Sequence, residues 1–540
     1  MNDENDIKLI GVKSGSFVKQ AATLAGASLF VRILGFFFRV PLTNLIADEG
    51  NIFYAAAYSI YAFALNLSSI FMIATVSRLV SERLALKQYR NAHSLFKMSM
   101  LISLVLGAAG SLIMFFGAAQ LVRLFSFPEN TVYAVRAVSP AVFIVSILTV
   151  LRGYFMGMKT SFPTAISQVV EQIFNVGFSL WLAFLFFDAA NVQYAAAGAT
   201  AGTAISALAA LGVVAFMYFQ VAKALKKRAN EDTTEFVEKP RQQLAEITRT
   251  ALPIIISAAT FSIMNILDIG MANSRIMASG AFTEAETRVL TGQFTGKFIL
   301  LTTLPVSLSM ALAAAVLPEI TASHVTENQD AVRHKTDLAL RLSMMLSIPA
   351  AMGLGVLADP ILALLFPLHP EGGWLLRYGA VSIVFVALVH IVTGVLQGVG
   401  KVKLPVIGLV VGLVVKIPLN YFLMSIPSIN ILGAVISTIV CFAVAAVVNI
   451  ILLRKYTGIV PDITGALLKP TIAAIGMGLV CYAAYNLMNL FTINAISTLG
   501  ALVLGVVSYT LFMVLIKGFQ PKDLDALPIP RKIKKFLYRG

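Results

Sequence analysis

The sequence predicts an all-α polytopic membrane protein with about 14 transmembrane helices. Of the 540 residues, 58% are hydrophobic and only 12% are charged, and the mean hydropathy is +0.85. Apolar runs of about 20 residues, the length that crosses a bilayer, recur from end to end. A soluble chain of this length could not bury so much apolar surface.

The predicted spans follow one another with short connections. They lie at 20–46, 51–77, 96–122, 132–156, 163–187, 194–224, 249–274, 289–317, 338–366, 374–399, 404–425, 430–453, 464–488 and 492–517. Lys and Arg concentrate in the N-terminal arm, in the even-numbered loops, to which Arg152 and Lys159 are assigned, and in the C-terminal tail. The positive-inside rule therefore predicts that both termini are cytoplasmic.

The basic residues set the net charge of +15. Their dispersion over separate loops argues against nucleic-acid binding, and it favours attraction to anionic phospholipids of the inner leaflet. Four arginines depart from the pattern because they fall in odd-numbered loops: Arg123, Arg275, Arg288 and Arg377.

An internal repeat predicts two six-helix lobes plus two extra C-terminal helices. The stretch from Ser28 to Arg39 overlays the stretch from Ser257 to Asp268, and Gly157 overlays Gly398. Because each half has an even number of spans, the repeat is parallel. The predicted parts are a cytoplasmic arm (1–19), an N-lobe (20–225), a cytoplasmic linker (226–248), a C-lobe (249–455), spans 13 and 14 (456–517) and a basic cytoplasmic tail (518–540).

Span 1 carries two arginines at membrane depth. Arg32 and Arg39 are two helical turns apart and share a face, and Ser28 lies one turn before Arg32 on that face. A guanidinium at this depth normally faces a watery cavity or a partner, so an anionic substrate is expected. Alternatively, Arg39 lies near the outer interface and snorkels into it.

In the repeat, Asp268 of span 7 corresponds to Arg39, and Asn265 lies near the same helix face as Asp268. Asp268 either pairs with an arginine or takes part in proton or cation coupling. Tyr54, Tyr58 and Tyr61 of span 2 predict an aromatic belt or packing contacts.

Span 5 carries a polar stripe, and spans 8 and 11 each carry a lysine. The stripe consists of Gln168, Glu171, Gln172 and Asn175. It either faces a central cavity or contributes to a buried ion pair between Glu171 and Lys416 of span 11, where Asn420 follows one turn later. Lys297 of span 8 is a further intramembrane cation.

No soluble catalytic constellation is present in the sequence. It has no Walker loop, its 5 histidines lack zinc spacing, and Cys441 and Cys481 form no cluster. The expectation is a secondary transporter or lipid flippase that is not an enzyme and needs no cofactor.

Several motifs together resemble the YtgP and stage V sporulation protein B group. This group comprises MurJ-like flippases of the multidrug/oligosaccharidyl-lipid/polysaccharide (MOP) exporter superfamily. The matching motifs are Val31-Arg32-Ile33-Leu34-Gly35, Glu49-Gly50 with Tyr54 and Tyr58, Leu151-Arg152-Gly153-Tyr154, Pro163 with Gln168 and Glu171-Gln172, Leu304-Pro305, Pro318-Glu319, and Lys416-Ile417 with Asn420-Tyr421.

The resemblance implies a bacterial cell-membrane flippase. Its substrate would be an undecaprenyl-pyrophosphate-linked saccharide, notably the peptidoglycan precursor lipid II. It implies substrate contacts from Arg32, Arg39 and Lys416, with Ser28 and Lys297 as further candidates from the sequence. Glu171 and Asp268 are the matching acidic positions, with Gln168, Gln172, Asn265 and Asn420 as further polar residues of the cavity.

Other implied features concern the lipid chain, the driving force and partners. Spans 13 and 14 would form a groove for the lipid tail, and membrane potential, H⁺ or Na⁺ would drive transport. Cell-wall synthesis machinery is an expected partner.

Lys297 and Asn175 depart from the group's pattern, which leaves the headgroup open. The alternatives are a flippase for another lipid-linked polysaccharide precursor and a cation-coupled multidrug exporter of the same superfamily; a membrane-bound transferase ranks last because the outward loops are short.

Overall fold

The computed structural model describes residues 17–234, 236–401 and 403–519. The beginning of the predicted arm, residues 1–16, and the tail from residue 520 onward lie outside the described residues. Within these ranges the regular structure is entirely helical. The helices are α1 (Phe17–Ser68), α2 (Ile70–Ala85), α3 (Tyr89–Phe116), α4 (Ala118–Leu124), α5 (Thr131–Gly157), α6 (Phe162–Leu185), α7 (Val192–Asn230), α8 (Pro240–Ala278), α9 (Glu284–Gln293), a π-helical turn (Phe294–Phe298), α10 (Ile299–Val325), α11 (Gln329–Val356), α12 (Ala358–Leu365), α13 (Gly373–Gly379), α14 (Ser382–Gly398), α15 (Leu404–Leu423), α16 (Leu432–Thr457), α17 (Ile463–Asn489) and α18 (Asn494–Leu515).

The predicted all-α membrane fold is confirmed. In the described chain, 12 helical stretches are long and apolar enough to cross a membrane, or up to 13 if the bent pair α13 and α14 is one span. The first stretch, Gly26–Ala85, contains most of predicted span 1 and all of predicted span 2. The count of fourteen is therefore approximate, and it depends on dividing this stretch in two.

The natural division of that stretch is at Ala47. Its φ of 57° and ψ of −174° interrupt the helix, in a region of backbone conformation that glycine normally occupies. The Asn51 amide donates to the Ala47 carbonyl at 2.8 Å, and Thr43 donates to Asn51 at 3.2 Å. The buried carboxylate of Asp48 lies at the start of the following helical segment, where the helix dipole favours negative charge.

The chain forms two compact units, Met1–Ser274 and Arg275–Gly540. Unit 1 contains α1 to α7 and most of α8, and unit 2 contains α9 to α18. The helix predicted to begin the C-lobe, α8, thus contributes to unit 1 up to Ser274, and its Ile266 and Ile269 join a core formed by α1, α5 and α7. The lobe boundaries derived from the repeat stay a prediction.

Small residues allow α6 and α7 of unit 1 to pack closely. A Cβ at Gly202 would lie 2.3 Å from the Ser179 hydroxyl, and one at Gly198 would lie 2.5 Å from the Leu182 carbonyl. No larger side chain fits there without a shift of the helices. This close approach brings polar side chains of α6 next to those of α7.

Unit 2 has three departures from regular helices. The predicted span 8 begins in α9, passes through the π-helical turn that carries Lys297, and continues in α10 to Val325. π-Helical turns inside α-helices are rare and often occur at functional sites. The predicted span 9 is divided between α11 and α12, and the predicted span 10 between α13 and α14, which differ in direction by 51°.

The predicted linker is attached to unit 1. Buried Arg83 of α2 forms ion pairs with Glu238, at 3.0 Å, and with Glu246. Asn91 donates to the Phe236 carbonyl at 2.9 Å and accepts from the Glu238 N–H at 3.1 Å. Both ends of the linker are helical, because α7 continues to Asn230 and α8 begins at Pro240.

Candidate functional site

Arg39 is the membrane-depth charge with the most developed surroundings in unit 1. Its guanidinium lies over the ring of Tyr54, 4.4 Å from the ring centre, a cation–π contact. Tyr54 follows the break at Ala47, which turns the chain so that the second half of α1 presents this ring to the first half. Among the described residues, the Nη1 group of Arg39 is enclosed and has no hydrogen-bond acceptor.

A hydrogen-bond chain continues from the tyrosines into α6 and α7. Tyr58 stacks on Tyr54 with ring centres 4.7 Å apart, and its hydroxyl lies 2.7 Å from the Thr203 hydroxyl. Thr203 donates to the Asn175 side-chain oxygen at 3.4 Å, so Tyr58 donates to Thr203. Ser179 donates to the same Asn175 oxygen at 2.9 Å. The tyrosines were predicted to be belt or packing residues, and the structure links them to polar residues.

The polar stripe of span 5 lies against the arginine face of span 1. Ser28 donates to the Gln168 side-chain oxygen at 3.4 Å. A Cβ at Gly35 would lie 3.3 Å from the Gln172 amide nitrogen, so this glycine lets α6 approach α1. The structure therefore brings Ser28, Gln168 and Gln172, which were predicted separately on spans 1 and 5, together beside the arginine face.

Glu171 has a partner that the sequence did not indicate. The carboxylate forms an ion pair with Arg152 of α5 at 2.7 Å, and Arg152 also donates to the Ser167 hydroxyl at 2.9 Å. Assigning Arg152 to a loop was wrong, because α5 continues through it to Gly157 and the residue is buried. Glu171 is thereby neutralised within unit 1 by Arg152.

The predicted site residues of α1 and α8 differ in how far they are exposed to solvent. Arg32 is exposed and Arg39 is half-buried. Asp268 is buried and Asn265 is exposed on α8. Ile266 and Ile269, on either side of Asp268, are core residues, so burial of the carboxylate follows from the packing of α8.

In unit 2, the predicted cation Lys416 is buried on α15. Its amine donates to the Thr438 hydroxyl of α16 at 3.0 Å. One turn later, Asn420 accepts a hydrogen bond from the Ser437 hydroxyl of α16. Both predicted residues thus join α15 to α16.

The other predicted cation of unit 2, Lys297, is among the most completely buried large side chains of the described chain. Its amine donates to the Glu371 carbonyl at 2.9 Å. Next to this contact, the left-handed Gly372 packs against Gln293, whose side chain a Cβ there would approach to 3.2 Å. Lys297 therefore ties the π-helical turn to the loop before α13.

An apolar groove of about 770 Å³ lies within unit 2. Its walls come from α11, α14 and α17, with Arg377 of α13 at the groove, whereas no described residue of α18 lines it. Representative lining residues are Met352, Val384, Ile475 and Leu479. The groove expected between spans 13 and 14 stays a prediction, and span 13 shares the groove of about 770 Å³ with spans 9 and 10.

Sequence reasoning missed Arg152, Ser179 and Thr203. The first could have been found because it falls within the predicted fourth span, but the other two look like ordinary small residues of apolar helices.

No group of three or more His, Cys, Asp or Glu side chains in the part of the chain that the structure describes could hold a metal ion.

The fold defines a multi-span helical membrane protein with charged side chains inside its spans. A family model described as "Polysaccharide biosynthesis protein" matches residues 17–324, and the MatE model matches residues 253–422. The chain belongs to the polysaccharide biosynthesis protein family.

Individual relatives agree with this assignment. Lipid II flippase MurJ of Bacillus subtilis is 27% identical over 82% of this chain and 84% of its own length. Stage V sporulation protein B of the same organism is 23% identical over 95% of this chain and 98% of its own. A solved structure of lipid II flippase MurJ, in an inward closed conformation, has the same fold, with a TM-score of 0.68 at 15% identity, over 91% of this chain and 98% of that one.

Proposed function

We propose that the protein is a flippase that moves an undecaprenyl-pyrophosphate-linked saccharide, notably lipid II, from the inner to the outer leaflet by alternating access. The observation that carries the proposal is Arg39, whose enclosed Nη1 group has no acceptor among the described residues. A buried charged donor left unpaired costs about 1–3 kcal/mol or more. A ligand that supplies an anionic oxygen would remove this penalty.

Pyrophosphate suits the arginine face of unit 1. A guanidinium binds phosphate oxygens through two parallel hydrogen bonds, which a lysine cannot reproduce. Tyr54 holds the Arg39 guanidinium from one side, so the group is already oriented before a ligand arrives. Arg32, exposed on the same helix face, would meet the anion first.

Sugars attached to the pyrophosphate need neutral hydrogen-bonding groups. Gln168 and Gln172 lie beside the arginine face, and Tyr58, Thr203 and Asn175 form the adjoining chain. Amides and hydroxyls both donate and accept, as hydroxyl-rich ligands require. Glu171 adds little negative charge because Arg152 neutralises it.

The lipid chain and the driving force involve other elements. The apolar groove along α17 offers a surface on which a polyprenyl chain would remain in the hydrocarbon region while the headgroup crosses. Asp268 is the coupling candidate, because buried ionisable residues within transmembrane helices are rare and often mark ion or proton pathways.

The test is complementation in a strain that depends on this flippase and lacks any other. At equal membrane levels, Arg39→Ala should fail to support growth, and Arg39→Lys should support it only in part. Arg78→Ala, which removes an exposed arginine of α2, is the matched control and should complement fully. Full growth with Arg39→Ala would refute the assignment of this site.

Cation-coupled drug export is the second candidate, since the MatE model covers the segment that contains Asp268. It predicts that expression raises drug resistance and that Asp268→Asn abolishes the effect. Expression without any change in resistance, together with loss of growth in Arg39→Ala, would leave the flippase as the supported function.

A further inference from the structure

A second basic site lies in unit 1, at the opposite end of α3 from the linker. The backbone N–H of Arg90, at the start of α3, donates to Asp232 of the linker. The helix then runs for 28 residues to Phe116, about 40 Å away at 1.5 Å per residue. There, the segment from α4 to the start of α5 encloses a pocket of about 270 Å³.

Two arginines line this pocket, Arg123 at the end of α4 and Arg136 on the second turn of α5. Both side chains are exposed, and neither guanidinium has a hydrogen bond or ion pair with any described residue. This contrasts with Arg288 and Arg377, which the sequence also assigned to odd-numbered loops and which form ion pairs with Glu284 and Asp359. The two guanidinium groups outnumber the single carboxylate of the lining, that of Glu129, so the net positive charge of the pocket attracts an anion.

The rest of the lining suits a small phosphate ester. Asn130 precedes α5 as its N-cap, but its side chain makes no capping hydrogen bond, so its amide can bind a ligand. Tyr133 lines the pocket and stacks edge-on against Tyr194, with ring centres 5.2 Å apart. Glu129 adds an acceptor for a hydroxyl group, and the apolar side of the pocket comes from Ala119, Val122 and Val132.

We propose that the pocket lined by Arg123 and Arg136 binds a phosphate ester that carries hydroxyl groups, at the membrane face opposite the linker. Each guanidinium would make charge-assisted hydrogen bonds to the phosphate, and Glu129 and Asn130 would bind the hydroxyls. Two sources supply this chemistry: the headgroup of an anionic phospholipid such as phosphatidylglycerol, and a soluble ester such as glycerol phosphate. The site is separate from Arg39 and does not depend on the flippase proposal.

The test measures binding of three probes to the purified full-length protein in a neutral detergent. The probes are short-chain phosphatidylglycerol, glycerol phosphate and short-chain phosphatidylcholine. The wild-type protein should bind phosphatidylglycerol at least tenfold more tightly than phosphatidylcholine. Arg123→Gln and Arg136→Gln should each weaken phosphatidylglycerol binding by about tenfold or more, the loss of one charge-assisted contact.

Arg288→Gln removes the same charge from a paired arginine, so it is the matched control and should bind as the wild-type protein does. If glycerol phosphate binds and is lost in the same variants, the ligand is the phosphate ester itself; if it does not bind, the lipid is the source. No preference of the wild-type protein for phosphatidylglycerol, or equal weakening by Arg288→Gln, would overturn the proposal. Both substituted side chains are exposed, and a helical circular dichroism spectrum would verify folding.

Discussion

The cations within the spans of unit 1 differ from those of unit 2 in the groups that contact their charged atoms. In unit 2, Lys297 donates to a backbone carbonyl and Lys416 to a hydroxyl, and both side chains are almost fully buried. In unit 1, Arg39 rests on an aromatic face and keeps an enclosed N–H group without an acceptor among the described residues. Each lysine joins neighbouring elements of its unit. Arg39, by contrast, is oriented by Tyr54 and keeps an N–H group that can donate to a ligand.

This difference shows that a charge at membrane depth does not identify a substrate site by itself. A buried lysine with fitted acceptors fulfils a structural role. A guanidinium that is held in place but incompletely satisfied is prepared for a ligand. The comparison therefore supports the proposal that the arginine face of unit 1 binds the substrate, and it predicts that Lys297 and Lys416 act mainly on stability.

The largest expected effect concerns binding of the lipid-linked pyrophosphate. Arg39→Ala should weaken binding by about 100-fold, because a bidentate charge-assisted contact is lost. Lys416→Met, the matched change in unit 2, should alter affinity by less than about threefold in protein that has folded. Titration of both purified variants with the same substrate measures this. Equal losses in the two variants would remove the distinction between the units.

The next effect concerns the ion pair of Arg152 and Glu171. Removing one partner of a buried pair costs about 3–5 kcal/mol, and the 28% exposure of the Glu171 side chain reduces this to about 2–3 kcal/mol. Arg152→Ala should therefore lower the free energy of unfolding by that amount. Adding Glu171→Gln should recover much of the loss, because the unpaired carboxylate is gone. Denaturant unfolding of the three proteins gives the answer, and an absence of recovery would place the role of Arg152 elsewhere.

A smaller loss of stability is expected at Lys297. Lys297→Met keeps the volume of the side chain but leaves the Glu371 carbonyl without its donor, at a cost of about 1–3 kcal/mol. Transport per folded molecule should be unchanged, since the amine is engaged with the protein. A transport defect in Lys297→Met with normal stability would instead support the predicted substrate contact.

The smallest effect concerns pH and the linker. Burial raises the pKa of Asp232, but hydrogen bonds from the backbone N–H groups of Arg90 and Thr234 and from the Thr234 hydroxyl outweigh it and hold the pKa below its ordinary value. The stabilisation that these hydrogen bonds give to the ionised Asp232 is complete above the pKa of an Asp side chain in the unfolded chain, about 3.9. It is lost as the pH falls through the lower pKa that Asp232 has in the folded protein.

Hydrogen exchange at the Arg90 and Thr234 amides, corrected for intrinsic rates, should therefore accelerate on acidification below about pH 4. In Asp232→Asn the exchange should be faster throughout and should no longer change over that range. An identical pH profile in the variant would exclude Asp232 as the group that titrates.

Hydropathy was sufficient to predict the membrane fold, since nearly every predicted span corresponds to a long helix. It could not predict the interruption at Ala47, because that depends on the side chains of Thr43 and Asn51 meeting in three dimensions. Helical spacing placed Ser28 on the arginine face of span 1 and Gln168 and Gln172 on one stripe of span 5, but it could not show that the two faces meet. It missed the partner of Glu171, because Arg152 is 19 residues away on another helix and was counted with the loop residues.

The apolar groove of unit 2 shows a further limit of sequence reasoning. The family resemblance implied a groove between spans 13 and 14, which stays a prediction, and nothing in the sequence indicated the groove that α17 forms with α11 and α14. Which faces of apolar helices meet is decided by fitted packing, which a uniformly apolar sequence does not specify.

The most direct test of the account is the accessibility of lipid II at the outer leaflet, in cells that depend on this protein alone. Arg39→Ala and Lys416→Met would be compared with the wild-type protein at equal amounts of folded protein. Accessibility should be lost in Arg39→Ala and retained in Lys416→Met. Wild-type accessibility in Arg39→Ala would contradict it.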